Sequence, residues 1–158
     1  MRIIGIDPGT ATTGFGVIDV DERGDYRMVD GGVIVTLPTE LMPNRLITLY
    51  DELSEVIAAT KPQAAAVELL YFSKNVTTGI SVGQARGVIL LALAKAGLIP
   101  GEYNPMQIKM AVTGYGAAKK PQVQEMVRLL LKLKALPKPD DAADALAIAI
   151  THANTLRR

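Results

Sequence analysis

Apolar residues change their spacing along this chain, and the change of period separates two kinds of element. Near the start, β-branched residues crowd into short runs closed by turn residues. Residues 2–7 (RIIGID) predict a short buried strand that Pro8-Gly9 ends. Residues 14–20 (GFGVIDV) predict a second strand, and Asp21 to Asp25, with Gly24, a hairpin-like turn. Residues 26–35 (YRMVDGGVIV) predict the returning strand, with Gly31-Gly32 marking a bulge or a close approach. Three strands in succession predict an antiparallel meander.

The period then lengthens. Leu46, Leu49, Tyr50, Leu53, Val56 and Ile57 fall on one face at three- and four-residue spacing, between Pro43-Asn44 and Lys61-Pro62. Residues 63–68 (QAAAVE) predict a short covered strand, followed by a loop from Leu69 to Asn75. Residues 76–96 predict a long helix, whose Gly79, Gly83 and Gly87 lower its propensity but make a smooth groove for a packing partner. A weak strand at 98–103, a short helix from Pro105 to Val112 and a glycine loop around Gly114 and Gly116 come next. Residues 121–134 predict a basic helix ended by Pro137 and Pro139, and residues 140–154 a last helix, apolar on nearly every face and therefore buried. This order predicts an α/β fold: a mixed sheet covered by helices, in one domain spanning 1–158.

Composition narrows the chemistry. At 158 residues and 49% hydrophobic, the chain supports one sizeable core. It has no cysteine and one histidine, His152, so thiolate nucleophiles, sulfur-ligated metals and multi-histidine zinc sites are excluded. MRIIGID does not read as a signal peptide, and no run of about 18 uninterrupted apolar residues predicts a membrane span. The expected setting is soluble and intracellular.

Against that apolar background, a few carboxylates stand out. Asp7 ends the first strand, where ligand groups collect in α/β sheets. Glu68 ends AAAVE, at a comparable edge if its strand runs parallel to the first. Asp141 and Asp144 share a helix face, and so do Asp140 and Asp144. Asp140 or Asp141 also fits a helix cap, the reading favoured for Asp140. Asp144 lies too deep in the helix to cap it. Ionised carboxylates are costly to bury unless paired or metal-bound. If these segments converge, oxygen-only ligands point to Mg²⁺ or Mn²⁺, and two ions could bridge a scissile phosphate. Between Lys109 and Lys138, seven basic residues stand against one acid, Glu125. Such a segment is either a solvated helix face or a surface for a phosphate backbone.

Four motifs, in order, carry a family resemblance: GIDPGTATTGFGVI at 5–18, VGQARGV at 82–88, GYGAAKKPQVQEMV at 114–127 and DAADALAIAITH at 141–152. Together they resemble the RuvC family of Holliday-junction resolvases over essentially the whole chain. The resemblance implies an RNase H-like fold: a five-stranded mixed sheet, its first three strands antiparallel, with helices on both faces. It implies an Mg²⁺-dependent endonuclease, two ions per subunit with Mn²⁺ able to substitute, making symmetric nicks in opposing strands of a four-way DNA junction. Products would carry 5′-phosphate and 3′-hydroxyl ends. It assigns the metal-binding and catalytic acids to Asp7, Glu68, Asp141 and Asp144, so choosing Asp141 over Asp140.

The same resemblance places the family's junction-stacking aromatic on Tyr71 and its phosphate-contacting lysines on Lys109 and Lys120. It implies a homodimer formed along the 76–96 helix, with Phe72 and Asn75 near its start, cooperation with the branch-migration proteins RuvA and RuvB, and a cytoplasmic, nucleoid-associated setting. Lys119, Tyr115 and Arg86 are further candidate DNA contacts, and Gln84 and Arg86 also fit a helix cap. His152 reads as structural, Phe15, Tyr50 and Tyr103 as core, and Tyr26 as partly exposed. Three other functions compete: an RNase H-like nuclease for RNA or other branched DNA, an actin-like ATPase or sugar kinase, and a junction binder without catalysis. The kinase-type reading needs a second comparable domain.

Overall fold

The computed structural model describes residues 1–69 and 76–157. Tyr71, Phe72 and Asn75, assigned above to the junction-stacking loop and the start of the long helix, lie outside the described residues. Among the described residues, five strands form one sheet: β1 (Arg2–Asp7), β2 (Thr12–Val20), β3 (Tyr26–Val35), β4 (Ala64–Glu68) and β5 (Gly101–Tyr103). Their spatial order is β3-β2-β1-β4-β5. β1 to β3 pair antiparallel, whereas β4 runs parallel to β1 and β5 parallel to β4. The predicted meander and mixed sheet are both present.

Among the described residues, five helices cover the two faces: α1 (Met42–Thr60), α2 (Val76–Lys95), α3 (Pro105–Thr113), α4 (Lys120–Leu130) and α5 (Asp140–Leu156). The alternation along β1 assigns the faces. Ile4 and Ile6 join the core shared with Leu49 and Leu53 of α1 and Ile89 and Leu93 of α2. Ile3, on the opposite face, joins the core shared with α3, α4 and α5. Residues Ala142 to Ala153 of α5 are all buried except Asp144, as an all-round apolar helix requires.

Small residues let α5 lie flush on the sheet. An added Cβ at Gly5 would fall 2.2 Å from the Ala145 carbonyl oxygen. At Gly14 it would fall 2.1 Å from the Asp141 carbonyl oxygen, and at Gly16, 2.7 Å from the Leu146 backbone nitrogen. Gly5 pairs with Gly16 and Asp7 with Gly14 across β1 and β2, so these glycines form one patch beneath the helix.

Several expected boundaries move. β2 begins at Thr12, because Thr12 and Thr13 already pair with Val35 and Ile34. β5 holds only the last three residues of the expected 98–103 strand. The register irregularity in β3 falls near Val29, where Val17 pairs with Asp30 but Ile18 with Met28, and not at Gly31-Gly32. Those two glycines are a close approach instead: a Cβ on Gly32 would meet the Phe15 ring at 3.1 Å. The basic helix expected to reach 134 stops at Leu130, and Lys132 turns the chain with φ at 55°. The apolar period continues through Leu131 and Leu133, which still pack on the core, so the sequence carries no stop signal there. Pro139, not Asp140, occupies the N-cap of α5. Asp140 is the first helical residue, 3.6 Å from Lys138, where its charge still favours the helix dipole.

By length and composition α2 could cross a membrane, yet its only buried residues are Ala85, Ile89, Ala92 and Leu93. Thr77, Thr78, Ser81, Gln84 and Arg86 interrupt it, and Arg86 pairs with Glu102 of β5. Its exposed side carries Val76, Ile80 and Leu91. Gly83 and Gly87 open between them, with nothing within 4 Å of an added Cβ.

Candidate metal centre and nucleic-acid interface

Strand register brings the first two acids together. Ile6 pairs with Val67 in the parallel β1–β4 ladder, so the next residues, Asp7 and Glu68, lie side by side at the carboxyl ends of adjacent strands. Both project to the face that α5 crosses. Gly14, beside Asp7, receives the first turn of α5 and so delivers Asp141 and Asp144 to the same point. One carboxylate oxygen each from Asp7, Asp141 and Asp144 lies within 4.8 Å of the others. Glu68 joins this triad through a hydrogen bond with Asp7. All four acids are half-buried.

The electrostatics of the cluster suit a cation. Burial first, then the charges of Glu68 and Asp144, push Asp7 up to about 8. Burial also raises Glu68 and Asp144, against the lowering effect of the Asp7 bond on Glu68 and of Lys120 on Asp144. Asp7 and Glu68 therefore titrate as a pair around the hydrogen bond they share, both above the ordinary carboxylate range. A divalent cation would remove both the shared proton and the mutual repulsion. Around Mg²⁺, opposite oxygen ligands lie about 4.2 Å apart, so a 4.8 Å triad closes on such an ion with small side-chain adjustments. The residues fit a hard divalent metal.

Lysines border the acids. Lys120, at the start of α4, places Nζ 2.9 Å from an Asp144 oxygen, and that contact raises its own pKa. Lys109 of α3 acts on Glu68 from across a cavity of about 190 Å³. Glu68, Lys109, Lys120 and Asp144 line that cavity over an apolar floor of Ile108, Val123 and Ile148. The basic segment thus divides. Lys109, Lys119 and Lys120 stand on α3 or at the start of α4, whereas Arg128, Lys132 and Lys138 pair with Glu125, Asp25 and Asp140. Lys119 is exposed, its backbone N–H donating to Gln122 Oε1 at 2.8 Å. Tyr115 is 61% exposed on the loop joining α3 to α4.

The remaining candidates lie apart from the acids. Arg86 is turned into the subunit, its side chain 19% exposed against Glu102. Sequence reasoning gave Glu102 no part, and no spacing rule links it to Arg86. His152 is buried and bonded to the Tyr103 hydroxyl, 2.7 Å from Nδ1. Burial lowers its pKa and keeps it neutral. The glycine patch under α5 was also missed, although Gly14 and Gly16 alternate as residues on one strand face do.

A five-stranded mixed sheet with acids at the ends of β1 and β4, crossed by a helix bearing two more, defines an RNase H-like nuclease. The RuvC model, described as crossover junction endodeoxyribonuclease RuvC, matches residues 3–152. The chain belongs to that family. Its relatives include crossover junction endodeoxyribonuclease RuvC of Chloroflexus aurantiacus, 55% identical over 98% of this chain and 94% of that one. The Chloroflexus aggregans protein of the same name is 57% identical over the same shares. Among solved structures, Thermus thermophilus RuvC superposes with a TM-score of 0.93 at 40% identity, covering 99% of this chain and 96% of the other. The same protein in complex with Holliday junction substrate gives 0.91 at 38% identity, over 99% and 96% of the two chains.

Proposed function

We propose that this protein is a Holliday-junction resolvase, an Mg²⁺-dependent endonuclease that nicks opposing strands of a four-way DNA junction during recombination and repair. The observation that carries this reading is the convergence of Asp7, Asp141 and Asp144 within 4.8 Å, beside Glu68, in a chain of the RuvC family. Asp7, Glu68, Asp141 and Asp144 hold two Mg²⁺ ions per subunit, and Mn²⁺ substitutes. A metal held by these acids would supply Lewis-acid activation of a water and charge stabilisation of the departing 3′ oxygen, chemistry that would leave 5′-phosphate and 3′-hydroxyl ends.

The protein's own groups position the strand. Lys109 and Lys120 bind the phosphates flanking the scissile one, with Lys119 and Tyr115 extending the contact along the α3–α4 loop. Arg86 supports this face through Glu102 and reaches DNA only if that pair opens. Tyr71 stacks at the junction centre. The exposed stripe of Val76, Ile80, Gly83, Gly87 and Leu91 on α2 supports a homodimer, which gives two centres for symmetric cutting. The enzyme works on the nucleoid in the cytoplasm, with RuvA and RuvB moving the junction.

Cleavage of a mobile four-way junction, mapped on all four strands, tests the reading against duplex, flap and RNA–DNA hybrid. Paired cuts in opposing strands are expected with Mg²⁺ and none with chelator. Asp7→Asn should abolish cutting and retain junction binding. Unchanged cutting by that variant, or preferential cutting of the hybrid, would refute the reading.

A further inference from the structure

Two tyrosines fasten α5 to the sheet. Tyr26 of β3 hydrogen-bonds Asn154, and Tyr103 of β5 bonds His152. β3 and β5 are the two outer strands, so the fastenings sit at opposite edges. At only one edge does the tyrosine face a site acid. Tyr103 stands opposite Glu68 in the parallel register, and its carbonyl accepts the Leu69 N–H at 2.8 Å.

β5 has few other ties: it is three residues long, among the described residues it pairs in the sheet with β4 alone, and Glu102 pairs with Arg86 of α2. Its fit to α5 is shaped around the histidine: a Cβ on Gly101 would sit 2.6 Å from His152 Nδ1 and 3.0 Å from the Tyr103 hydroxyl. Tyr103 and His152 are both buried, so neither can exchange the other for water without cost. Directly after Tyr103, Asn104 caps α3 through a reciprocal capping box with Gln107, and α3 carries Lys109. This Tyr103–His152 hydrogen bond thus links the strand paired with the Glu68 strand to the helix bearing Asp141 and Asp144; α3, which bears Lys109, follows β5 directly and is also bonded to α5, Asn154 Nδ2 donating to the Ala111 carbonyl at 3.2 Å.

We propose that the Tyr103–His152 pair is a positioning device that sets the separation between Glu68 on β4 and Asp144 on α5, and so how tightly the acids close on a divalent cation. His152 lies about two helical turns beyond Asp144 and acts only through Tyr103 and the β4–β5 ladder. The inference rests on the metal reading of the four acids given above. Without the bond, the end of β4 shifts relative to α5, and the ligands spend less time at bonding distance.

Mn²⁺ titration of the full chain by calorimetry, without DNA, tests this. Tyr103→Phe keeps the ring and removes the hydroxyl; His152→Gln moves the polar group away from the Nδ1 position. Each should weaken Mn²⁺ binding by about tenfold, at the lower end for groups that support metal ligands. Tyr26→Phe removes the matching bond from the same helix at the other edge. It should lower the melting temperature and leave Mn²⁺ affinity unchanged. Wild-type affinity in Tyr103→Phe would overturn the inference and leave the metal site standing. Equal losses in Tyr103→Phe and Tyr26→Phe would overturn it too, by reducing it to stability. A wild-type chain that takes up no Mn²⁺ would overturn the metal reading and the inference together.

Discussion

Replacing Asp7 by Asn should make the metal-free protein more stable while destroying its activity. Asp7 is held up to about 8 from an ordinary 3.8, first by burial and then by Glu68 and Asp144. A carboxyl with a folded pKa above its unfolded one makes the folded state bind the extra proton between the two values. Its contribution to stability therefore declines as pH rises from about 4 to about 8, then levels off. At pH 7 the interval from 3.8, at about 1.36 kcal/mol per unit, sets an upper bound on the order of 4 kcal/mol. Sharing of the proton with Glu68 reduces this, so a gain of about 1–4 kcal/mol is expected for Asp7→Asn near pH 7.5. Against a net stability of about 5–15 kcal/mol, that is readily measured.

The assay is urea unfolding followed by circular dichroism, in chelator, from about pH 5 to 8.5. His152 contributes the opposite slope: buried and neutral, it adds stability as pH climbs toward 6.5. Taking the difference between variant and wild type cancels it. That difference should grow steadily with pH, and Mg²⁺ should then reverse the ranking by stabilising the wild type more. A difference that stays flat between about pH 5 and 8, or an Asn variant less stable than wild type at pH 8, would refute the reasoning.

Three further outcomes are expected. Gly14→Ala puts a methyl 2.1 Å from the Asp141 carbonyl oxygen; it should cost about 1–3 kcal/mol in urea unfolding and slow cleavage about a hundredfold as α5 lifts. Wild-type cleavage by this variant would show that α5 need not sit flush on β2. Lys120→Ala should weaken junction binding and make its salt dependence shallower by about one phosphate contact, with little change in stability because its pair with Asp144 is half exposed; identical binding curves across salt concentrations would exclude it from the phosphate surface. Leu91→Asp, at the exposed stripe of α2, should yield monomers by light scattering, and an intact dimer would move the interface elsewhere.

The sequence made much of this legible because its periods are clean. The strand runs at 2–7 and 26–35 and the helical spacing at 46–57 survive tertiary packing almost unchanged. The acids were legible as residues but not as neighbours. Asp7 and Glu68 meet only because β4 inserts parallel beside β1, and parallel pairing leaves no local turn to announce it. Family motifs chose Asp141 over Asp140, and the structure gives a physical reason: the Asp141 backbone rests on Gly14, one strand pairing from Asp7. The early end of α4 was illegible because left-handed Lys132 has no glycine or proline to mark it. The Tyr103–His152 and Arg86–Glu102 contacts link residues whose relation exists only in three dimensions.

The crossing of α5 over the glycine patch also has a consequence for the order in which competence arises. In chain order Asp7 ends the first strand, whereas Asp141 and Asp144 belong to the last helix. Until that helix docks, one face of the sheet lacks the cover of α5 and the three aspartates cannot come together. Docking joins residues far apart in the chain, contacts of the kind that form more slowly than local ones. A chain that lacks α5 holds Asp7 and Glu68 without Asp141 and Asp144, so the four-acid cluster is completed only when the last helix is in place.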